Sequence, residues 1–263
     1  MNTEQLERAF QKMGARVEVN TEWGRFQRQP NPLSLNIRRD KKGEYFTIWN
    51  TSGADLEVLN VEPKDRHLLL LERNGKDKHR YLLGHDERHW FVAAIPESTP
   101  VSTVKAAKEA LKPKEVLHKQ VGLKAADRQR RRNEAWVRQG EWFFVPCPGL
   151  EFENSFRNPI LKNEPIVRSR GGKPHFCSEL YRSGGETVYV SGERVLTEKQ
   201  YDALDEKERR SRSWTVMRQN MDVWVRGTVR HPDHKTIELA YWHKVLSNTE
   251  SLSFAMRNVQ FLD

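Results

Sequence analysis

Nine histidines are spread through the 263-residue chain, and most stand in three groups that also carry carboxylates or a thiol. The first is His85-Asp86-Glu87-Arg88-His89, the second His175-Phe176-Cys177, and the third His231-Pro232-Asp233-His234, with His243 nine residues further on. Imidazole beside carboxylate supplies both metal ligands and the outer groups that orient them. His231, Asp233 and His234 fall between two strand-like runs, so one tight turn would present them together, with His243 reaching them from the end of the following strand. Three such ligands with an open position suit metal-assisted hydrolysis. A histidine with an aspartate could instead act as a metal-free general acid and base. His85, Asp86 and His89 form a second candidate metal set. Their i, i+4 histidines match a helical zinc pair, but Gly84 and the strand-like Trp90-Phe91-Val92 argue for a turn there. A divalent metal is the cofactor these residues would hold. A third arrangement would join Cys147 and Cys177 to His175, although no C-x-x-C spacing exists and lone cysteines more often act as small buried hydrophobes.

The other chemistry-bearing feature is charge. The net charge is +9, and Val104 to Arg138 contains eleven Lys/Arg against four Asp/Glu, so these 35 residues carry +7 of it. Lysine and arginine crowded on one element can neutralise backbone phosphates and release counterions. The candidate contacts are Lys124, Arg128, Arg130, Arg131, Arg132 and Arg138, with Arg168, Arg170 and Lys173 beside the Gly171-Gly172 loop as a second patch. Mixtures of arginine with aromatic residues, Trp23 to Arg28, Arg38-Arg39 and Arg209 to Trp214, add the chemistry of base stacking. No helix-turn-helix or zinc-finger spacing points to the major groove. The expected partner is therefore nucleic acid, RNA ahead of duplex DNA, with a metal-assisted hydrolase of the phosphodiesterase or nuclease type as the alternative. An acidic protein partner would use the same charges. No Walker A, G-x-S-x-G or dinucleotide fingerprint appears.

Eight Trp, eleven Phe and six Tyr supply a packed interior, so the mean hydropathy of −0.83 reflects a charged surface rather than disorder. Two cysteines are too few for a disulfide framework, the first residues lack a signal-peptide pattern, and no apolar run reaches membrane-spanning length. A cytoplasmic protein with no membrane partner is the expectation.

The elements that must position these groups follow from periodicity. Leu6, Ala9, Phe10 and Met13 make one stripe of a helix stopped by Gly14. Leu33 to Ile37 and Tyr45 to Trp49 flank a turn at Asp40 to Gly43, and four further strand-like runs lie between Leu56 and Ile95, with a turn at Asn74-Gly75. Pro96 to Pro100 breaks the pattern. Helices are expected from Ser102 or Thr103 to Leu111, from Glu115, and from about Leu123 to Gln139. Later strands are expected at Glu141 to Val145, Thr187 to Ser191, Asp222 to Arg230 and Thr236 to Tyr241, with a capping box at Thr197 to Gln200 opening a helix to about Arg212. The expected class is α+β: a strand-rich N-terminal domain with a capping helix (1–96), a basic helical connector (97–140) and a mixed α/β C-terminal domain (141–263).

Overall fold

The computed structural model describes residues 3–22, 33–156, 158–167, 173–254 and 256. The N-terminal stripe folds as expected into α1 (Thr3–Lys12), with Leu6, Ala9 and Phe10 buried. Gly14 follows at φ +78°. Next come β1 (Val17–Asn20), β2 (Leu33–Asp40) and β3 (Gly43–Asn50) in a sheet of order β1-β3-β2. The β2–β3 hairpin turns at the Asp40↔Gly43 pair, as the sequence predicts. The parallel pairing of β1 with β3 is an addition to it.

A four-stranded antiparallel meander follows: β4 (Asp55–Glu62), β5 (His67–Asn74), β6 (Asp77–His85) and β7 (Trp90–Ile95). Leu68 to Leu71 explain its central strand. Leu68 and Leu70 face α1, Phe46 and Ile48, while Leu69 packs with Val104, Ala107 and Leu111 on the opposite face. A strand buried on both faces reads as a continuous apolar run instead of an alternating one.

The expected central helical segment is not there. The chain is mostly β, 46% strand and 17% helical, so the balanced α+β class is corrected. Between Val104 and Arg138 lie only α2 (Val104–Ala110), α3 (Lys114–Lys119) and a single 3-10 turn at Asp127–Gln129. The reason is that residues 124–134, KAADRQRRRNE, contain no large apolar side chain. A helix there would bury nothing, and propensity alone does not hold a short helix. Asn133 bends the chain instead, its Oδ1 accepting from the amides of Ala135 at 2.8 Å and Trp136 at 3.0 Å. Trp136 and Val137 are then buried, and β8 (Val137–Gln139) joins the C-terminal sheet.

That sheet contains β8, β9 (Trp142–Pro146), β10 (Leu161–Ile166), β11 (His175–Ser183), β15 (Asp222–Arg230) and β16 (Ile237–Ser247) in the order β10-β11-β15-β16-β9-β8. The C-terminal part is thus dominated by strands. Between β11 and β15 the chain makes an excursion containing β12 (Glu186–Ser191), β13 (Arg194–Thr197) and β14 (Thr215–Gln219). The Thr197 capping box forms, but its helix α4 (Glu198–Asp202) stops early. Asp205 caps a separate α5 (Glu206–Arg210), accepting from the Glu208 amide at 2.6 Å. One predicted helix is therefore two.

Lys112 shows where part of the basic charge goes. It is 6% exposed and its ammonium donates to Glu109 at 2.6 Å, Gln120 at 2.8 Å and the Arg128 carbonyl at 2.7 Å. The same ammonium lies 4.8 Å from the centre of the Trp136 ring. Replacing Lys112 by Met should leave Glu109 without its cation and cost about 3 kcal/mol in urea unfolding. Replacing the exposed Lys119 by Met should change stability by less than about 0.5 kcal/mol.

Candidate metal centre

His175 opens β11, and the register Phe176↔Arg230 carries β15 past it so that the residue after Arg230, His231, lies alongside. The β15–β16 turn then brings back His234. The three rings lie together, with centroids 4.2 Å apart for His175–His231, 5.6 Å for His175–His234 and 4.6 Å for His231–His234. One ring nitrogen from each falls within 4.8 Å of the other two. Donors on a tetrahedral zinc at 2.0–2.1 Å stand about 3.3 Å apart, so small side-chain rotations would close the set.

The chemistry of the nitrogens fits a metal. His175 is 1% exposed, and neither of its ring nitrogens has a hydrogen-bond partner; Nδ1 of His234 is likewise buried and unpartnered. Buried polar atoms are rarely left so. The His231 ring has both nitrogens engaged, Nδ1 accepting the Asp233 amide at 3.1 Å and Nε2 beside the Lys173 carbonyl oxygen at 3.3 Å. Ligation by His231 therefore requires that its Nδ1 exchange the Asp233 amide for the metal, with Nε2–H left on the carbonyl. Burial, reinforced by the neighbouring His231 and His234, pushes the His175 pKa down to about 3. Burial also lowers His231 and His234. All three rings are therefore neutral at pH 7, the state that binds a cation.

The surrounding chain is fitted to the three rings. At Gly140, where β8 turns into β9, φ is +57° and an added Cβ would stand 2.8 Å from His234 Nε2 and 3.5 Å from His175 Nε2. Gln139 anchors the turn from the same hairpin, its amide donating to the Lys235 carbonyl at 2.7 Å. Trp142 packs edge-on to His175 at 6.4 Å.

A chain of polar groups runs outward. The Asp233 carboxylate is 3.0 Å from Lys173 Nζ and 3.8 Å from His89 Nε2, and His89 Nδ1 is 2.6 Å from Glu44. Burial works against ionisation of Asp233, but the Lys173 ammonium outweighs it, and the carboxyl titrates below its usual range. Glu87 accepts the Lys235 amide at 2.7 Å, and both Glu87 and Asp86 pair with Arg131.

Of the residues singled out in sequence, His231 and His234 thus meet, and Asp233 stands between them in the turn. His243 does not join them. It sits in β16 with Nδ1 donating to the Tyr241 carbonyl at 2.7 Å. His85, Asp86 and His89 form no ligand set among the described residues: His85 packs edge-on to Trp90 at 4.9 Å, Asp86 pairs with Arg131, and His89 joins the Asp233 chain. The missing third ligand is His175. Cys177 shares its face of β11 and is fully buried, where burial pushes its thiol up to about 12, but it is not among the three side chains that converge. The signal for His175 was present in His-Phe-Cys, since a strand with Cys177 inward turns His175 inward too.

The basic residues divide. Lys124 and Arg132 are exposed, and Arg130 pairs with Asp127 at 3.0 Å. Arg128 donates from Nε to the Leu123 carbonyl and Arg138 from Nε to the Gly140 carbonyl, both at 2.9 Å. Arg168, Arg170 and the Trp23 to Arg28 stretch lie outside the described residues. Among the described residues no helix is long and apolar enough to cross a membrane. No protein-family model matches the chain, and no curated protein and no solved structure shows significant similarity to it.

Two outcomes follow. Because the folded state holds His175 neutral down to about pH 3, metal-free protein has its full stability above about pH 6.5. That stability falls as pH drops and the unfolded chain takes up protons, by up to about 1.4 kcal/mol per pH unit from this ring. Urea unfolding in EDTA at pH 7.5, 6.5 and 5.5 should show the slope, and His175→Gln should reduce it, the remainder coming from the other histidines that burial lowers. Gly140→Ala should lower zinc affinity at least tenfold in a competition titration with a chromogenic chelator, while costing about 1–2 kcal/mol of stability from the left-handed backbone.

Proposed function

We propose that the protein is a metal-assisted hydrolase whose centre is His175, His231 and His234 and whose substrate is a phosphoester, RNA being the class its cationic surface favours. The observation that carries the reading is His175: a buried imidazole with two unpartnered nitrogens, facing two more neutral imidazoles. An all-imidazole donor set suits zinc and its transition-metal neighbours, and three protein ligands leave a position open, which is the pattern of catalytic sites.

A metal held there would lower the pKa of water toward neutrality and polarise a phosphoryl oxygen. The chain's own groups do the remainder. Hydrolysis requires that water lose a proton and add to phosphorus while the bond from phosphorus to the leaving oxygen breaks and that oxygen gains a proton. Asp233, kept ionised by Lys173, is placed to take the first proton. His89, between Asp233 and Glu44, can pass it on.

Cobalt(II) or zinc titration of EDTA-treated protein tests the centre. Single Ala substitutions of His175, His231 and His234 should each weaken binding about 100-fold, and His243→Ala should leave it unchanged. With saturating zinc, Asp233→Asn should lower kcat for cleavage of a short single-stranded RNA about 100-fold with metal affinity within about threefold of wild type. Equal zinc affinity in wild type and His175→Ala would end the reading.

A further inference from the structure

Beside the metal centre the structure encloses a second polar space. Where the end of β6 and the start of β7 meet the 128–143 segment lies a cavity of about 90 Å³, room for about six waters at some 15 Å³ each. A phosphate group is of this size. Lys108, Lys112, Arg128, Arg130, Arg131 and Arg138 line it, and Asp86 is the one carboxylate on its wall among the described residues.

The charges on that wall are matched unevenly. Arg131 is met by Asp86 and Glu87, Lys112 by Glu109, Lys108 by Asp65 and Arg130 by Asp127, and Glu141 acts on Arg138 from a distance. Arg128 and Arg138 have no carboxylate partner among the described residues, and each donates only from Nε, to a backbone carbonyl. The Arg138 guanidinium lies against the Phe143 ring, 5.6 Å from its centre. Both guanidinium groups are half-buried, with Arg138 desolvated and Glu141 the carboxylate acting on it, and their terminal nitrogens face the cavity open to an entering anion. Burial first, and then the charge of Arg138, pulls Arg131 below its ordinary pKa. Burial also lowers Lys112, against the opposing pull of Glu109. Burial, together with Lys108 and Arg138, brings His67 down to about 4.

We propose that this cavity is a phosphate-binding subsite in which the open ends of Arg128 and Arg138 take the oxygens of a phosphate mono- or diester. Planar guanidinium forks match those oxygens two at a time, which an ammonium cannot do. The subsite is back to back with the metal centre. Arg138 Nε holds the Gly140 carbonyl, and Gly140 packs on His234 and His175. A substrate bearing two phosphates in succession could occupy both, so the subsite's role in substrate binding rests on the hydrolase reading, while its affinity for phosphate does not.

The test uses the full chain in EDTA with inorganic phosphate, read by isothermal titration calorimetry and by the rise in Tm. Wild type should bind saturably. Arg128→Gln and Arg138→Gln should each weaken binding at least tenfold, and Arg218→Gln, on the distant β14, should not. If Arg138→Gln fails to fold, Arg128→Gln and the milder Arg138→Lys carry the comparison. Absence of saturable binding to metal-free wild type, or unchanged binding in folded Arg128→Gln, overturns the proposal. Phosphate binding that appears only after zinc is added also overturns it, because the anion then sits at the histidines. If phosphate binds but zinc does not, the hydrolase reading falls and the subsite stands. A short single-stranded RNA that competes with phosphate would assign the subsite to a nucleic-acid backbone, and failure to compete would assign it to a small phosphate; both leave it standing.

Discussion

A two-residue carboxylate pair, Asp86 and Glu87, ties the molecule together. It lies in the turn between two strands of the N-terminal meander and holds Arg131, which belongs to the segment leading into the C-terminal sheet. Glu87 also accepts the amide of Lys235, immediately after the last of the three clustered histidines. One acidic step therefore fixes the position of a loop, an arginine and a histidine turn that are far apart in sequence. Removing such carboxylates would leave a half-buried guanidinium uncompensated, which costs far more than a surface ion pair. The placement of the histidine cluster against the cationic cavity depends on this junction.

The same constraint explains what became of the basic stretch. Charge density on a line of sequence says nothing of which way each side chain points once apolar neighbours decide the fold. Trp136, Val137, Phe143 and Phe144 are buried and draw the adjoining cations inward with them. Lys112 becomes part of an interior network, Arg138 lies over an aromatic ring, and Arg131 meets its carboxylates. Lys105, Lys114, Lys119, Lys124, Arg130 and Arg132 remain exposed. The segment thus divides its charge between an outer cationic face and a set of half-buried groups turned toward the junction with the C-terminal sheet.

How much could be read in advance differs by range. Local signals served well: the Leu6 to Met13 stripe, the Asp40 to Gly43 hairpin, the Asn74-Gly75 turn, and the β15 and β16 strands around His231 to His234 all fold as their patterns suggest. The supposed helix from Leu123 to Gln139 did not form, because helix-forming residues without an apolar stripe leave a helix nothing to pack. The candidate metal centre is half legible. His231, Asp233 and His234 were recognised as one turn, but His175 reaches them only through the β11–β15 register, and no local pattern encodes a pairing across some fifty residues. His243, nearest to them in sequence, is held away by its own backbone contact in β16.

The excursion between β11 and β15 has one more implication. Its two ends, Ser183 and Asp222, are already paired across the sheet, at the opposite end of these strands from Phe176↔Arg230 and hence about 23 Å from the histidines at 3.3 Å per residue. The intervening residues form their own three-stranded sheet of order β13-β12-β14, with two short capped helices. Loop length enters closure entropy only logarithmically, so a shorter link there would draw little on the stability of the main sheet. The excursion is an architectural appendix, and replacing it by a short link between Ser183 and Asp222 would leave the pairing at the histidine end of these strands in place.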